Sequence, residues 1–209
     1  GYPAKDLNVI GVTGTDGKTT VSHLIAEILK KSGTPTALVS TIGAFFDGRE
    51  IDTGFHVTTA DASVLQPLLL KIKNAGMTHV VLETTSHGLD QHRVLGCNFK
   101  VGILTNITNE HLDYHKTFEN YRDAKAKLFR WVRAAVLNAD DASFSYAKSK
   151  TARGARIISY GIGKSATLKA QKIRLTPQGC QFEVREGSKS IVISTKLLGD
   201  YNVSNILAA

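Results

Sequence analysis

The chain has 209 residues, 42% of them hydrophobic and 7% aromatic, and carries 26 lysines and arginines against 18 aspartates and glutamates. That length and apolar fraction exclude a disordered tail and predict one domain with a substantial core. The formal net charge of +8 points to anionic partners without separating nucleotides, nucleic acid and acidic metabolites.

No stretch reaches the length of a membrane span, and the first residues lack a basic start followed by an apolar core. The expectation is a soluble chain without a signal peptide or a membrane partner. Cys97 and Cys180 show neither C-x-x-C spacing nor histidines at zinc-site spacing, which points to a reducing cytoplasm and no structural zinc. The basic residues between Arg122 and Arg156 lack the interleaved aromatics of a base-stacking surface, so no nucleic-acid partner is expected.

An apolar run over 8–12 predicts a short buried strand. Helical periodicity follows over 21–29, with Val21, Leu24, Ile25, Ile28 and Leu29 on one stripe. Between them stand Gly14, Thr15, Asp16, Gly17, Lys18, Thr19 and Thr20. Strand, glycine turn and helix in that order form a cradle for phosphates. The glycines let backbone N–H groups approach an anion, and the helix N-terminus adds partial positive charge. Lys18 reaches terminal phosphates and Thr19 offers a hydroxyl to Mg²⁺. The strict pattern G-x-x-x-x-G-K-[ST] is not met, because its first glycine falls on Val12. The plain alternative is a glycine-rich turn before an ordinary helix.

A second strand is predicted over 36–41, and 42–53 reads as a hairpin or an irregular excursion. A helix after Asp61 carries Leu65, Leu68, Leu69 and Ile72, and Pro67 inside it predicts a kink or a later start. Strands over 79–83 and 101–106 both end in polar groups, the first in Glu83, the second leading to His111. Ligands gather at the carboxyl ends of strands in open α/β sheets. Three strand ends therefore direct Lys18 and Thr19, Glu83, and His111 towards one crevice.

A helix over 118–132 puts Phe118, Tyr121, Leu128, Phe129 and Val132 on one arc, with Lys125 in its middle. A lysine there must snorkel, be paired or be chemically altered, because burying a bare ammonium is costly. Further strands are predicted over 135–138 and 156–160, with a short helix starting at Asp140-Asp141. Strands over 167–175, 180–185 and 190–195 form an antiparallel subregion spanning about 166–197. The last residues read as a helix entry that stops without a cap, as in a fragment of a longer chain. The fold class expected is α/β, a mostly parallel sheet flanked by helices with that small antiparallel subregion near the C-terminus.

In chain order, these pieces resemble the central ATP-binding domain of the Mur ligase family, and the resemblance covers essentially all of 1–209. They are Gly14 through Thr20, Thr58-Thr59, Glu83-Thr84-Thr85-Ser86-His87-Gly88-Leu89, Gln91-His92-Arg93, Thr105-Asn106, His111-Leu112-Asp113, Ala124-Lys125, Asn138-Ala139-Asp140-Asp141 and Gly199 through Ala209. The Ser-His-Gly-Leu and Gln-His-Arg pieces are most similar to the members that add the third amino acid to UDP-N-acetylmuramoyl-L-alanyl-D-glutamate (UDP-MurNAc-dipeptide) in peptidoglycan synthesis.

The resemblance implies an ATP-dependent amide-forming ligase that works through an acyl phosphate, with ATP and two Mg²⁺ ions. Gly14, Thr15, Asp16, Gly17, Lys18, Thr19 and Thr20 would hold the ATP phosphates, and Asn138, Asn202 and Asn205 would stand around base and ribose. Thr19 and Glu83 would hold one Mg²⁺ and His111 would serve a second. Lys125 matches a lysine carbamylated by CO₂, which turns an ammonium into a metal-binding carboxylate. Thr58, Thr59, Thr85, Gln91 and Arg93 match positions for the UDP-MurNAc-dipeptide, and the amino acid is the second substrate.

Local alternatives are that Thr58 and Thr59 cap a helix, Asn202 caps the last one, and Arg93 makes a surface ion pair. The family's N-terminal UDP-binding and C-terminal amino-acid-binding domains have no counterpart in these residues, so the chain alone is expected to bind nucleotide and to be a poor ligase.

Asp16 stands where the family usually has Asn, Ala60 where Pro is common, Thr84-Thr85 where Val-Ser is usual, and Glu110 where Asp is usual. Rival readings are a folylpolyglutamate-synthetase-like ligase and a non-catalytic nucleotide-binding module. Gln91-His92-Arg93 argues against the first, and intact Glu83, His111 and Lys125 against the second.

Overall fold

The computed structural model describes residues 2–51 and 59–209. A 3₁₀ turn leads into β1 (Asn8–Thr13), followed by α1 (Lys18–Lys31), β2 (Thr36–Val39), β3 (Ala44–Phe46) and β4 (Arg49–Ile51). Next come α2 (Ala62–Asn74), β5 (His79–Glu83), α3 (Ser86–Asp90), β6 (Phe99–Leu104), α4 (Leu112–His115) and α5 (Phe118–Ala126). The chain continues with β7 (Ala134–Asn138), α6 (Phe144–Lys150) and β8 (Arg156–Gly161). It finishes with β9 (Leu168–Thr176), β10 (Gly179–Glu186), β11 (Lys189–Thr195) and α7 (Asp200–Ala208).

These strands form one sheet in the order β11-β10-β9-β8-β7-β6-β1-β5-β2-β3-β4. The stretch from β2 through β5, β1, β6 and β7 to β8 is parallel. β1 lies between β5 and β6, where the chain stops adding strands on one side and starts on the other. A crevice opens beyond the carboxyl ends of strands at such a point.

Side chains alternate across the sheet. Val9, Val80 and Leu82 join a core with Leu65, Leu69, Leu128 and Phe129, on the side of α2 and α5. Ile10, Val12, Val81 and Ile103 join a second core with Val21, Ile25, Val203 and Leu207, on the side of α1 and α7. Burial on both faces explains why the central strands read as continuous apolar runs.

The α/β expectation holds, and the hairpin expected over 42–53 is β3 and β4 as far as the described residues go. Four local expectations change. Ile28 is 54% exposed, because the buried residues Val21, Ser22, Ile25 and Ala26 centre the covered face of α1 about 90° away from it at 100° per residue. α2 runs from Ala62 through Pro67, held down by buried Leu65, Leu68, Leu69 and Ile72, so tertiary packing overrides the local cost. The helix expected over 118–132 is α5 followed by a 3₁₀ segment, Lys127–Trp131, which buries Leu128 and Phe129. The helix expected at Asp140-Asp141 starts instead at Phe144, because Asp141 turns its carboxylate to the Ser143 and Ile107 amides at 2.7 and 2.8 Å.

The antiparallel subregion is an extension of the main sheet. β9 pairs with β8 in parallel only at Tyr160 with Leu168 and Gly161 with Lys169, whereas β9, β10 and β11 pair with one another along their lengths. Among the described residues, no helix is long and apolar enough to cross a membrane.

Candidate functional site

The loop between β1 and α1 is fixed from the end of β6. The Thr15 N–H donates to the Asn106 carbonyl at 2.8 Å, and the Asp16 N–H donates to Asn106 Oδ1 at 2.9 Å. Asp16 O accepts from Thr105 Oγ1 at 2.6 Å and Asn106 Nδ2 at 3.1 Å. Two glycines permit this approach. A Cβ on Gly14, whose φ is +153°, would lie 1.8 Å from Thr105 Oγ1, and one on Gly17, whose φ is +82°, would lie 2.3 Å from Asn205 Oδ1. The first backbone bond into α1 runs from Val21 N–H to Gly17 O, so the amides of Lys18, Thr19 and Thr20 have no partner within the helix. Such amides, with the helix dipole behind them, suit an anion. Lys18 Nζ folds back to Thr15 O at 2.7 Å.

Glu83, at the end of β5, is 1% exposed. Its carboxylate accepts from Thr19 Oγ1 at 3.1 Å to each oxygen and from the Thr41 amide at 3.2 Å. Those donors are neutral, and a buried carboxylate with neutral donors and an adjacent hydroxyl oxygen is a hard-oxygen donor set suited to Mg²⁺. Among the described residues, no group of three or more His, Cys, Asp and Glu side chains is arranged to hold a metal ion, so phosphate and water oxygens would have to complete the shell.

Lys125 is 2% exposed, which removes the snorkelling alternative. Its amine donates to Gly14 O and lies 4.4 Å from the centre of the Tyr121 ring. Burial, reinforced by the Lys18 cation and opposed by Glu110 and Asp16, pulls its pKa down to about 7. A substantial fraction of the amine is therefore neutral and nucleophilic near neutral pH.

His111 precedes α4 with a left-handed φ of 55°, and its ring lies 5.0 Å from that of His87 and 6.0 Å from that of Tyr121. His115 completes the cluster, 5.3 Å from His87, with Nε2 3.0 Å from Ser86 Oγ. Burial holds His87 and His115 below the usual imidazole range, which keeps these two rings neutral at pH 7.

Asn138 donates to Thr105 O at 2.8 Å and accepts from the Asp140 amide at 3.0 Å. Asn205 donates to Asn202 Oδ1 at 3.0 Å, and Asn202 donates to Leu198 O at 2.8 Å. Asn138 and Asn205 line a cavity of about 440 Å³ with Asp16, Gly17, Tyr160 and Tyr201, whereas Asn202 is absent from its wall. A larger cavity of about 580 Å³ near Phe99, Leu128 and Trp131 contains none of the candidate residues, so size alone does not mark the site.

Thr58 lies outside the described residues. Thr59 Oγ1 receives the Thr85 amide at 2.9 Å and lies 3.1 Å from the Thr85 hydroxyl, and Thr85 Oγ1 accepts the Gly88 amide to cap α3. Arg93 is engaged by Thr59 O at 2.9 Å, Gln91 Oε1 at 2.8 Å and Asp61 at 3.1 Å. Thr59, Thr85, Gln91 and Arg93 thus form one connected group beside Glu83, whose carbonyl Thr59 Oγ1 approaches at 3.4 Å.

Sequence reading missed the part played by Tyr121, whose hydroxyl sits 3.0 Å from Thr15 Oγ1. A tyrosine within an apolar arc reads as core, and only a buried hydroxyl in need of a partner signals more.

The family model described as Mur ligase middle domain matches residues 12–209. The UDP-N-acetylmuramoyl-L-alanyl-D-glutamate–2,6-diaminopimelate ligase of Geobacillus thermodenitrificans is 40% identical over 218 residues, covering 100% of this chain and 44% of the relative. UDP-N-acetylmuramyl-tripeptide synthetase 2 of Oceanobacillus iheyensis is 39% identical, covering 100% of this chain and 43% of the relative. A solved UDP-N-acetylmuramoyl-L-alanyl-D-glutamate–2,6-diaminopimelate ligase superposes with a TM-score of 0.89 at 33% identity, over 97% of this chain and 42% of that one. The chain thus spans less than half the length of the relatives it matches.

Proposed function

Because the chain belongs to the Mur ligase family, whose middle domain it matches, we propose that it is the ATP-binding domain of a ligase that adds the third amino acid to UDP-MurNAc-L-Ala-D-Glu. On this reading residues 1–209 are one domain, and UDP-binding and amino-acid-binding domains belong to the rest of the full-length chain, in the cytoplasm. Mur ligases are ATP-dependent ligases. The observation that carries the reading is the convergence on one loop of Lys18, the Thr19–Glu83 pair and Lys125.

The α1 amides of Lys18, Thr19 and Thr20 receive phosphate oxygens, and Lys18 Nζ exchanges the Thr15 carbonyl for the terminal phosphates. The base and ribose occupy the cavity beside Asn138 and Asn205, with Asn202 bracing Asn205. The glutamyl carboxylate, oriented by the Thr58, Thr59, Thr85, Gln91 and Arg93 group, attacks the γ-phosphorus, and ADP leaves. The incoming amine then adds to the acyl phosphate and phosphate departs, forming the amide. Thr19 and Glu83 would hold one Mg²⁺, with His111 and Lys125 serving a second, and the two ions would offset the repulsion between triphosphate and carboxylate. Neutral Lys125 amine combining with CO₂ loses a proton and becomes a carbamate, an oxygen donor the ammonium cannot be.

The test is ADP release by the full-length chain with ATP, Mg²⁺ and UDP-MurNAc-dipeptide, screened across amino acids. ADP and amide should appear together, with a diamino acid such as the 2,6-diaminopimelate of the relatives' names giving the fastest rate. ADP release with a different acid substrate, and none with the dipeptide, would overturn the proposal.

A further inference from the structure

Tyr121 is fully buried on α5, and phenylalanine would fill the same space, so its hydroxyl needs a separate explanation. The hydroxyl lies 3.0 Å from Thr15 Oγ1, a contact between residues 106 apart in sequence. Thr15 Oγ1 also accepts the Thr108 amide at 3.0 Å, and the Thr15 amide is held by Asn106 O. On the other side of the same peptide units, Thr15 O takes the Lys18 ammonium and Gly14 O takes the Lys125 amine. The Tyr121 ring in turn covers Lys125, 4.4 Å from Nζ. One side chain therefore bonds Thr15, whose carbonyl holds Lys18, and covers Lys125, whose amine is held by the neighbouring carbonyl of Gly14.

We propose that Tyr121 is a positioning residue of the ligase reaction, its hydroxyl clamping Thr15 so that the phosphate loop keeps its shape and its ring holding Lys125 in place. This rests on the ligase reading above. The hydroxyl acts through Thr15 on nucleotide affinity, whereas the ring acts on Lys125, and the two roles separate by substitution. Burial, with Glu110 and Asp16 nearby, pushes the phenol up to about 12, so the clamp persists across the working pH range.

Tyr121→Phe in the full-length chain should raise the ATP Kd and KM about three- to tenfold, the scale of one lost hydrogen bond. kcat at saturating ATP should stay within about twofold, and the ¹³C carbamate signal after ¹³C-bicarbonate labelling should be retained. Thr15→Val should produce at least as large a rise, because it also leaves the Thr108 amide without its acceptor, Thr15→Ser should recover most of that loss, and the double variant Tyr121→Phe/Thr15→Val should be no weaker than Thr15→Val. Tyr121→Leu should lose carbamate signal as well as affinity. An unchanged ATP Kd in Tyr121→Phe, or additive losses in the double variant, would overturn the proposal, and an unchanged Kd in Thr15→Val would do so should Tyr121→Phe fail to fold. Because Kd is read by titration without turnover, a wild-type chain that binds ATP and forms no amide refutes the ligase reading separately.

Discussion

The centre of the sheet and its β9–β11 end share the same kind of backbone ladder and differ in what covers their faces. Val9 through Thr13 of β1 are all buried, with helices on both sides, whereas Ser190, Ile191 and Val192 of β11 are exposed. The meander buries one face, through Ala170, Cys180 and Phe182, in the core that includes Val203 and Leu207 of α7. Double burial confines polar groups of the central strands to their ends, which is why Thr13, Glu83 and Thr105 meet at one rim. The meander contributes no candidate residue of its own, but it supports the helix that brings Asn205 against Gly17. On the proposed reading the centre carries the chemistry and the end only braces it.

Substitutions on either side of that division test it, in descending order of effect. Lys18→Ala should lower the proposed ADP release by the full-length chain about 10²–10³-fold with little change in melting temperature, as expected for a group that stabilises transferring charge. Loss of stability comparable to a core deletion would break the division. Phe182→Ala, in the meander, should cost about 3–5 kcal/mol of stability in denaturant unfolding, while nucleotide affinity falls only as far as α7 shifts.

Acidification reaches the centre selectively. With the Lys125 pKa lowered to about 7, protonation removes the reactive amine as pH falls. The neutral fraction is near its ceiling well above pH 7 and drops about tenfold per pH unit well below it. The initial rate of ¹³C carbamate formation at fixed dissolved CO₂ should follow that curve, and a midpoint near 10 would contradict it. Smallest of all, Ile191→Ser on the exposed face of β11 should change stability by no more than about 0.5 kcal/mol and leave ATP affinity intact.

The strand ends and the glycine loop were legible because each is a local pattern of apolar run, turn and periodic stripe. The place of Lys125 at the centre of an apolar arc was legible from helical periodicity, which left snorkelling open until the fold showed the side chain buried. What escaped depends on partners far away in sequence. Tyr121 finds Thr15 across the fold, and Arg93 donates to Thr59 O in addition to the ion pair, with Asp61, that its charge alone suggests. The change from α5 to a 3₁₀ segment at Lys127 buries Leu128 and Phe129 against β6. No periodicity announces it, because the deciding force is packing on a neighbouring strand.

The seam between β8 and β9, whose ladder joins only Tyr160 with Leu168 and Gly161 with Lys169 beside a Ser159–Thr167 side-chain link, should divide the sheet into two units of cooperative opening. Amides of β9–β11 should exchange with solvent deuterium in step with one another and ahead of those of β1, β5 and β6. A nucleotide spanning Gly17 and Asn205 would stitch that seam from α7, so its binding would slow exchange in a meander it never touches.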